Sequence, residues 1–202
     1  MKIIAVGRNY AEHTKELNNS VPTEPVIFLK PDTAVLKNNQ AFYHPDFSEN
    51  IHHEVEVIIK ICKEGKYIQE KFARKYFEEI GLGIDFTARD LQSKLKEKSL
   101  PWEIAKAFDN SAPISNFLPI ADLNVHNLNF KLLVNGELRQ QGNTADMIFS
   151  IEKIIAFASQ YFTLKKGDII FTGTPAGVGK INVGDHLTGY LETLKLLDFE
   201  IK

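Results

Sequence analysis

The sequence predicts a strand-rich α+β fold, on three observations. Short apolar segments rich in β-branched residues outnumber helical periods, no β–α–β alternation recurs, and no Gly/Ser linker or low-complexity tract divides the chain. The 202 residues, 44% hydrophobic and 25% charged, suit one domain spanning 1–202 and exclude an intrinsically disordered chain. Lys and Arg number 24 against 26 Asp and Glu, and the net charge of −2 gives no electrostatic footprint for nucleic acid. No apolar run approaches the roughly 20 residues that cross a bilayer, and Lys2 to Gly7 is too short for a signal-peptide core. Cys62 stands alone, so neither an internal disulfide nor a thiolate metal cluster is available. The expectation is a cytoplasmic protein with no nucleic-acid or membrane partner.

Met1 to Val6 reads as a buried strand that ends at Gly7-Arg8-Asn9-Tyr10. Ala11 to Leu17 follows as a short helix, and Asn19 to Pro25 as a loop with two prolines. Val26 to Leu29 is a strand stopped by Lys30-Pro31-Asp32, and Asn38 to Asn50 is polar and turn-rich. Ile51 to Cys62 is the strongest strand, with Val55, Val57, Ile59 and Ile61 on one face and Glu54, Glu56, Ile58 and Lys60 on the other. Glu70 to Glu79 carries Phe72, Tyr76 and Phe77 among charges and reads as a helix. Ile80 to Phe86 returns to the sheet, and Thr87 is a candidate N-cap for a helix through Leu95. Leu128 to Val134, Asn135-Gly136 and Glu137 to Gln141 form a hairpin with a type I′ turn. Ser150 to Phe162 is an amphipathic helix with Ile151, Ile154, Ile155 and Ala158 in one stripe. Asp168 to Thr172 is a short strand, and Val183 to Lys202 supplies two closing strands.

Chemistry concentrates in a few places. A spacing of two on a strand sets the Glu54 and Glu56 carboxylates on one face, with Cβ atoms about 7 Å apart. Such a pair is either a solvated face or a site for a hard divalent cation, Mg²⁺, Mn²⁺ or Ca²⁺ rather than zinc. Asp85 ends the apolar run Gly81-Leu82-Gly83-Ile84, where a carboxylate needs a partner. That partner is either a cation shared with Glu54 and Glu56 or the N-terminus of the next helix. His13 and Glu16 share a helical face, as a general-base pair or as an exposed pair. Arg89 and Gln92 share another face and reach toward a bound anion or carbonyl. Lys106 lies between Ala105 and Ala107-Phe108, an apolar setting where a lysine is paired, functional or snorkelling. Residues 173–179 lack the Gly-Lys-Ser/Thr ending of a P-loop, and no helical pattern follows them.

In order, Gly7-Arg8-Asn9-Tyr10-Ala11-Glu12-His13, Phe28-Leu29-Lys30-Pro31, His53-Glu54-Val55-Glu56, Asp85-Phe86-Thr87-Ala88-Arg89-Asp90-Leu91-Gln92 and Thr172-Gly173-Thr174-Pro175 resemble the fumarylacetoacetate hydrolase family. Pro101-Trp102 with Lys106 and Phe108, and Val134-Asn135-Gly136-Glu137, extend the resemblance over nearly the whole chain, and it is closest to the acylpyruvase and oxaloacetate decarboxylase branch. The resemblance implies a mixed β-sandwich roll with a few short helices, assembled as a homodimer. It implies Glu54, Glu56 and Asp85 as ligands of Mg²⁺ or Mn²⁺, His13 with Glu16 as the base dyad, and Lys106 as the active-site lysine. Arg89, Gln92 and Thr174 match substrate-contacting positions, and Arg8 or Lys30 is the candidate for a second substrate carboxylate. The resemblance does not extend to the extra N-terminal domain of fumarylacetoacetate hydrolase itself, and it offers no evident counterpart of that enzyme's earlier, fourth aspartate ligand.

The activity this implies is hydrolysis of a C–C bond in a small acylpyruvate-type 2-oxo acid, releasing pyruvate. Oxaloacetate decarboxylation or tautomerisation, and isomerisation of 2-hydroxyhepta-2,4-diene-1,7-dioate, share the same enolate chemistry. A metal-free small-molecule binding protein is the alternative outside enzymology.

Overall fold

A computed structural model of the chain describes residues 1–16 and 20–202. Among the described residues, fifteen strands and five α-helices alternate irregularly. The strands are β1 (Ile3–Val6), β2 (Ile27–Lys30), β3 (Val35–Leu36), β4 (Ile51–His53), β5 (Val55–Ile61), β6 (Phe77–Ile84), β7 (Thr87–Ala88), β8 (Ala112–Pro113), β9 (Leu118–Pro119), β10 (Asn129–Val134), β11 (Glu137–Asn143), β12 (Ile169–Phe171), β13 (Gly179–Lys180), β14 (His186–Leu191) and β15 (Leu194–Glu200). The helices are α1 (Ala11–Glu16), α2 (Glu70–Ala73), α3 (Arg89–Glu97), α4 (Glu103–Lys106) and α5 (Ile151–Tyr161). This is the strand-rich mixed α+β architecture expected. None of these helices is long and apolar enough to cross a membrane.

A six-stranded sheet in the order β2-β1-β12-β5-β6-β9 forms the backbone of the fold, and β1 runs parallel to β12 while the other pairs are antiparallel. A four-stranded antiparallel sheet, β11-β10-β14-β15, and a small sheet, β13-β4-β7, complete it with the β3–β8 pair. The large sheet is covered on both faces. Val55, Val57, Ile59 and Ile61 enter the main core with Leu132, Leu187, Leu197 and the α5 stripe Ile151, Ile154, Ile155 and Ala158. Ile58 points the other way, into a second cluster with Ile3, Ala34, Ile169 and Phe171. Burying each such side chain stabilises the fold by about 1.5–3 kcal/mol, so β5 anchors two cores.

The α5 boundaries follow from chemistry at its start, where Ser150 Oγ accepts from the Lys153 N–H at 3.1 Å. The hairpin turn is as expected, with φ of 55° at Asn135 and 81° at Gly136.

Four expectations need correction. Ile51 to Cys62 is not one strand: the chain breaks at Glu54, and β4 and β5 belong to different sheets. Glu70 to Glu79 is not one helix. It is a single turn, α2, then a 3₁₀ turn at Arg74–Tyr76, and Phe77 already starts β6 because its ring belongs to the core. Thr87 does not cap α3; it lies in β7 and its hydroxyl donates to the Asp85 carbonyl at 3.2 Å. The Asp85 side chain does not cap α3 either, because two lysines hold it. The expected end of α1 at Leu17 and start of the loop at Asn19 lie outside the described residues.

Candidate active site

Strand register gathers the three acids. Val55 faces Ile84 in the antiparallel β5–β6 ladder, and one rung further the Asp85 N–H donates to the Glu54 carbonyl at 2.8 Å. Residues opposite one another share a face, as do residues two apart. Glu54, Asp85 and Glu56 therefore project to the same side, and Glu56 faces Gly83, which has no side chain to obstruct it. One oxygen from each carboxylate falls within a group spanning no more than 4.8 Å, and all three residues are buried.

The cations around them differ in reach. Lys106, delivered by α4, sets its ammonium 2.7 Å from Glu54 Oε2 and 2.6 Å from Asp85 Oδ2. Arg89, the first residue of α3, pairs with Glu54 Oε1 and donates to Gln92 Oε1 at 2.7 Å. Lys30 Nζ lies 2.8 Å from Asp85 Oδ1, off the hydrogen-bonding direction, so that buried oxygen has no aligned donor. Burial resists ionisation of Glu54, but Lys106 and then Arg89 outweigh it and hold the carboxyl well below its usual range. Burial and the Asp85 charge push Glu56 well above its usual range, against the Gly173 N–H that donates to Oε2 at 2.6 Å. Burial also opposes the Lys106 charge, but Asp85 and Glu54 outweigh it, so Lys106 stays an ammonium.

This donor set fits a hard divalent cation. Three carboxylates converge, Asp85 Oδ1 lacks an aligned donor, and the Glu56 carboxylate is disfavoured as an anion until a positive charge approaches it.

His13 is buried on α1 and its Nδ1 lies 3.1 Å from Glu16 Oε2. An ionised carboxylate can only accept, so Nδ1 is the donor, and in the neutral ring the lone pair falls on Nε2. The other Glu16 oxygen accepts from the Gly177 N–H at 3.0 Å. His13 lines a small cavity together with Arg8, Glu54, Arg89, Gln92 and Lys106. The cavity measures about 20 Å³, room for about one water molecule, so a larger molecule enters only if the lining side chains part.

Of the residues singled out in the sequence, Arg8, His13, Glu54, Arg89, Gln92 and Lys106 meet at this cavity, while Glu56 and Asp85 stand behind it and Glu16 holds His13. Two do not reach it. The Thr174 hydroxyl donates to the Val55 carbonyl at 2.8 Å and accepts from Gln140 Nε2 at 2.8 Å, which leaves it a structural part. Lys30 is sealed, with a side-chain exposure of 0%, and its ammonium also donates to the Lys106 carbonyl and to Ser111. It is not available to a second substrate carboxylate.

Two residues that the sequence did not flag hold this arrangement. Gln140 is the one fully buried residue of β11, turned inward beside a bulge in the β10–β11 ladder. Its Oε1 accepts from the Val55 N–H and from His53 Nδ1, both at 2.9 Å, and its Nε2 donates to Thr174 Oγ1 and to the Pro175 carbonyl at 3.0 Å. Asn9 donates to the carbonyls of Phe149 and Thr172 and accepts from the Phe149 N–H. Gly173 packs so closely on it, at a φ of 102°, that a Cβ there would come within 2.6 Å of the Asn9 Cβ. Asn9 had one signal in the sequence, a polar residue inside a motif block, and Gln140 had none.

Residues 2–201 match the family model described as fumarylacetoacetate (FAA) hydrolase, C-terminal. The chain is 47% identical to oxaloacetate tautomerase YcgM of Escherichia coli (strain K12), over 93% of this chain and 86% of that one. It is 46% identical to a mitochondrial oxaloacetate decarboxylase of Dictyostelium discoideum, over 91% and 85%. A crystal structure of fumarylpyruvate hydrolase from Pseudomonas aeruginosa in complex with Mn²⁺ and pyruvate superposes with a TM-score of 0.94 at 34% identity, covering 100% of this chain and 89% of that one.

Proposed function

The chain belongs to the fumarylacetoacetate hydrolase family, and from that premise we propose that it interconverts the keto and enol forms of oxaloacetate or a close 2-oxo dicarboxylate. This reading moves away from acylpyruvate hydrolysis, the activity first expected, because the relatives named tautomerase and decarboxylase share more of the sequence than the hydrolase does. The observation that carries it is a buried histidine held through Nδ1 by Glu16, lining one cavity with an ammonium and a guanidinium.

A divalent cation, Mg²⁺ or Mn²⁺, held by Glu54, Glu56 and Asp85 would bind the oxygens of the 2-oxo acid and polarise its keto group. The chain's own residues account for the proton transfer. His13 Nε2 takes a proton from the carbon next to the keto group, and Glu16 supports the positive charge that the ring then carries. Lys106 and Arg89 stabilise the negative charge that develops on the keto oxygen. Return of the proton to that oxygen gives the enol, and return to carbon gives the ketone. Decarboxylation is the second reading, favoured by the Dictyostelium relative: the same electron sink accepts the pair released when the distal carboxylate leaves as CO₂.

The test follows enol and keto oxaloacetate by ultraviolet absorbance with Mg²⁺ and with EDTA. His13→Gln should lower kcat about 10²–10⁴-fold, and EDTA should abolish turnover in the parent protein. Undiminished interconversion in the His13→Gln variant would overturn the assignment.

A further inference from the structure

The inner and outer parts of the cavity are charged differently. At the inner end, Arg89 and Lys106 are both paired, Arg89 with Glu54 and Lys106 with Glu54 and Asp85. In the outer part, Arg8 and Lys96 border the same cavity, and among the described residues neither has an ion-pair partner. Glu16 pairs with neither cation, since its two oxygens are turned to His13 and to the Gly177 N–H.

The position of Lys96 follows from helical geometry. Arg89, Gln92 and Lys96 stand three and four residues apart on α3, so they share one face. Long side chains on a helix lean back toward its N-terminus, which brings the Lys96 stem over the turn that carries Gln92. Its ammonium lies 5.5 Å from the centroid of the Trp102 ring, another wall of the cavity. Partial burial, then the charges of Arg89, Arg8 and Lys106, push the Lys96 ammonium below its ordinary value, as expected of a cation crowded by cations. Such a group gains most from an arriving anion.

Resting on the proposed 2-oxo acid chemistry, we infer that Lys96, with Arg8 beside it, binds the distal carboxylate of the substrate and selects 2-oxo dicarboxylates over 2-oxo acids with an uncharged far end. The first carboxylate and the keto group engage the inner part, and the second carboxylate meets the two uncompensated cations.

The test separates head from tail. Pyruvate has the same 2-oxo acid head as oxaloacetate with a methyl group in place of the distal carboxylate. In the Mg²⁺-loaded protein, Lys96→Met should raise the KM for oxaloacetate about tenfold, the effect of one charge-assisted hydrogen bond at a partly exposed site. The inhibition constant of pyruvate should stay within twofold of the parent value, and kcat should fall less than KM rises. Lys96→Arg should recover most of the loss. Lys96 is exposed at the mouth of the cavity, so thermal unfolding should be unchanged in both variants. An equal rise in the pyruvate and oxaloacetate constants, or no rise in either, overturns the inference while leaving the proposed function standing. A parent protein inert toward oxaloacetate overturns both.

Discussion

Lys30→Met is the most informative perturbation of stability. The Lys30 ammonium is sealed and serves Asp85 Oδ1 at 2.8 Å, the Ser111 carbonyl and hydroxyl at 3.0 Å each, and the Lys106 carbonyl. Burial, the largest influence, pushes its pKa down against the pull of Asp85. Methionine keeps most of the stem volume, so little cavity forms; what changes is the loss of a buried charge. Removing one partner of a buried ion pair costs about 3–5 kcal/mol, and Asp85 is then left with Lys106 alone, on its other oxygen. Orphaned acceptors at Ser111 and Lys106 add to this, though not additively. Against a total stability of about 5–15 kcal/mol, the loss is severe, and at about 2–4 °C per kcal/mol for a chain of this size the melting temperature should fall by about 6–20 °C. Urea unfolding should show a lower midpoint with unchanged slope. Adding Asp85→Asn to Lys30→Met should restore part of the loss, a favourable coupling of about 1–3 kcal/mol in a double-mutant cycle. A Lys30→Met variant within about 1 kcal/mol of the parent, or a cycle with no coupling, would refute the view that Lys30 exists to hold Asp85.

Gln140→Leu should orphan the buried Val55 N–H and the Pro175 carbonyl, costing about 2–4 kcal/mol in urea unfolding. Because that N–H adjoins Glu54 and Glu56, Mn²⁺ affinity measured by calorimetry should weaken about tenfold or more; unaltered affinity would mean Gln140 does not position the ligands. Asp168 gives a pH signature. Burial opposes its charge, but the Lys2 ammonium, the Lys2 N–H and the Lys165 N–H together outweigh this and hold its carboxyl below the usual range. A depressed folded pKa stabilises fully above the unfolded value of about 3.9 and loses that contribution as the pH falls through the folded value. Asp168→Asn should therefore flatten the fall in melting temperature below about pH 4, and an acid limb as steep as the parent's would contradict the assignment.

The readable parts of the fold were those set by local pattern. The Asn135-Gly136 turn and the α5 stripe each depend on neighbours in sequence, and each is found as expected. The misreadings share a different cause. Phe77 and Tyr76 fit a helical period, yet the sheet claims Phe77 because the strand partner Ile61 and the core lie beside it. The break at Glu54 is set by a second sheet that the local alternation does not encode. At the site, residues with their own chemistry were recognisable, whereas Lys30 and Gln140 act through partners 34 or more positions away and carry no local sign of it.

The three carboxylates depend on one register. A slip of one residue in β5–β6 would turn Asp85 to the opposite face from Glu54 and Glu56. Hydrophobic pattern alone cannot prevent this, because both faces of β5 are buried and both are apolar: Val57 and Ile59 on one side, Ile58 on the other. The discrimination comes from an absent side chain. Gly83 lies under the Phe171 ring, where a Cβ would come within 2.5 Å of it, so no neighbouring residue of β6 can take its place opposite Glu56. The irregularity in the ladder sits between Lys60 and Ile61, at the end away from the acids, and the rungs from Val55 to Lys60 run unbroken. The glycine that reads in the sequence as a weakness in a strand is thus what fixes the spacing of the carboxylates, and the packing that stabilises the sheet and the geometry that assembles the site are the same contact.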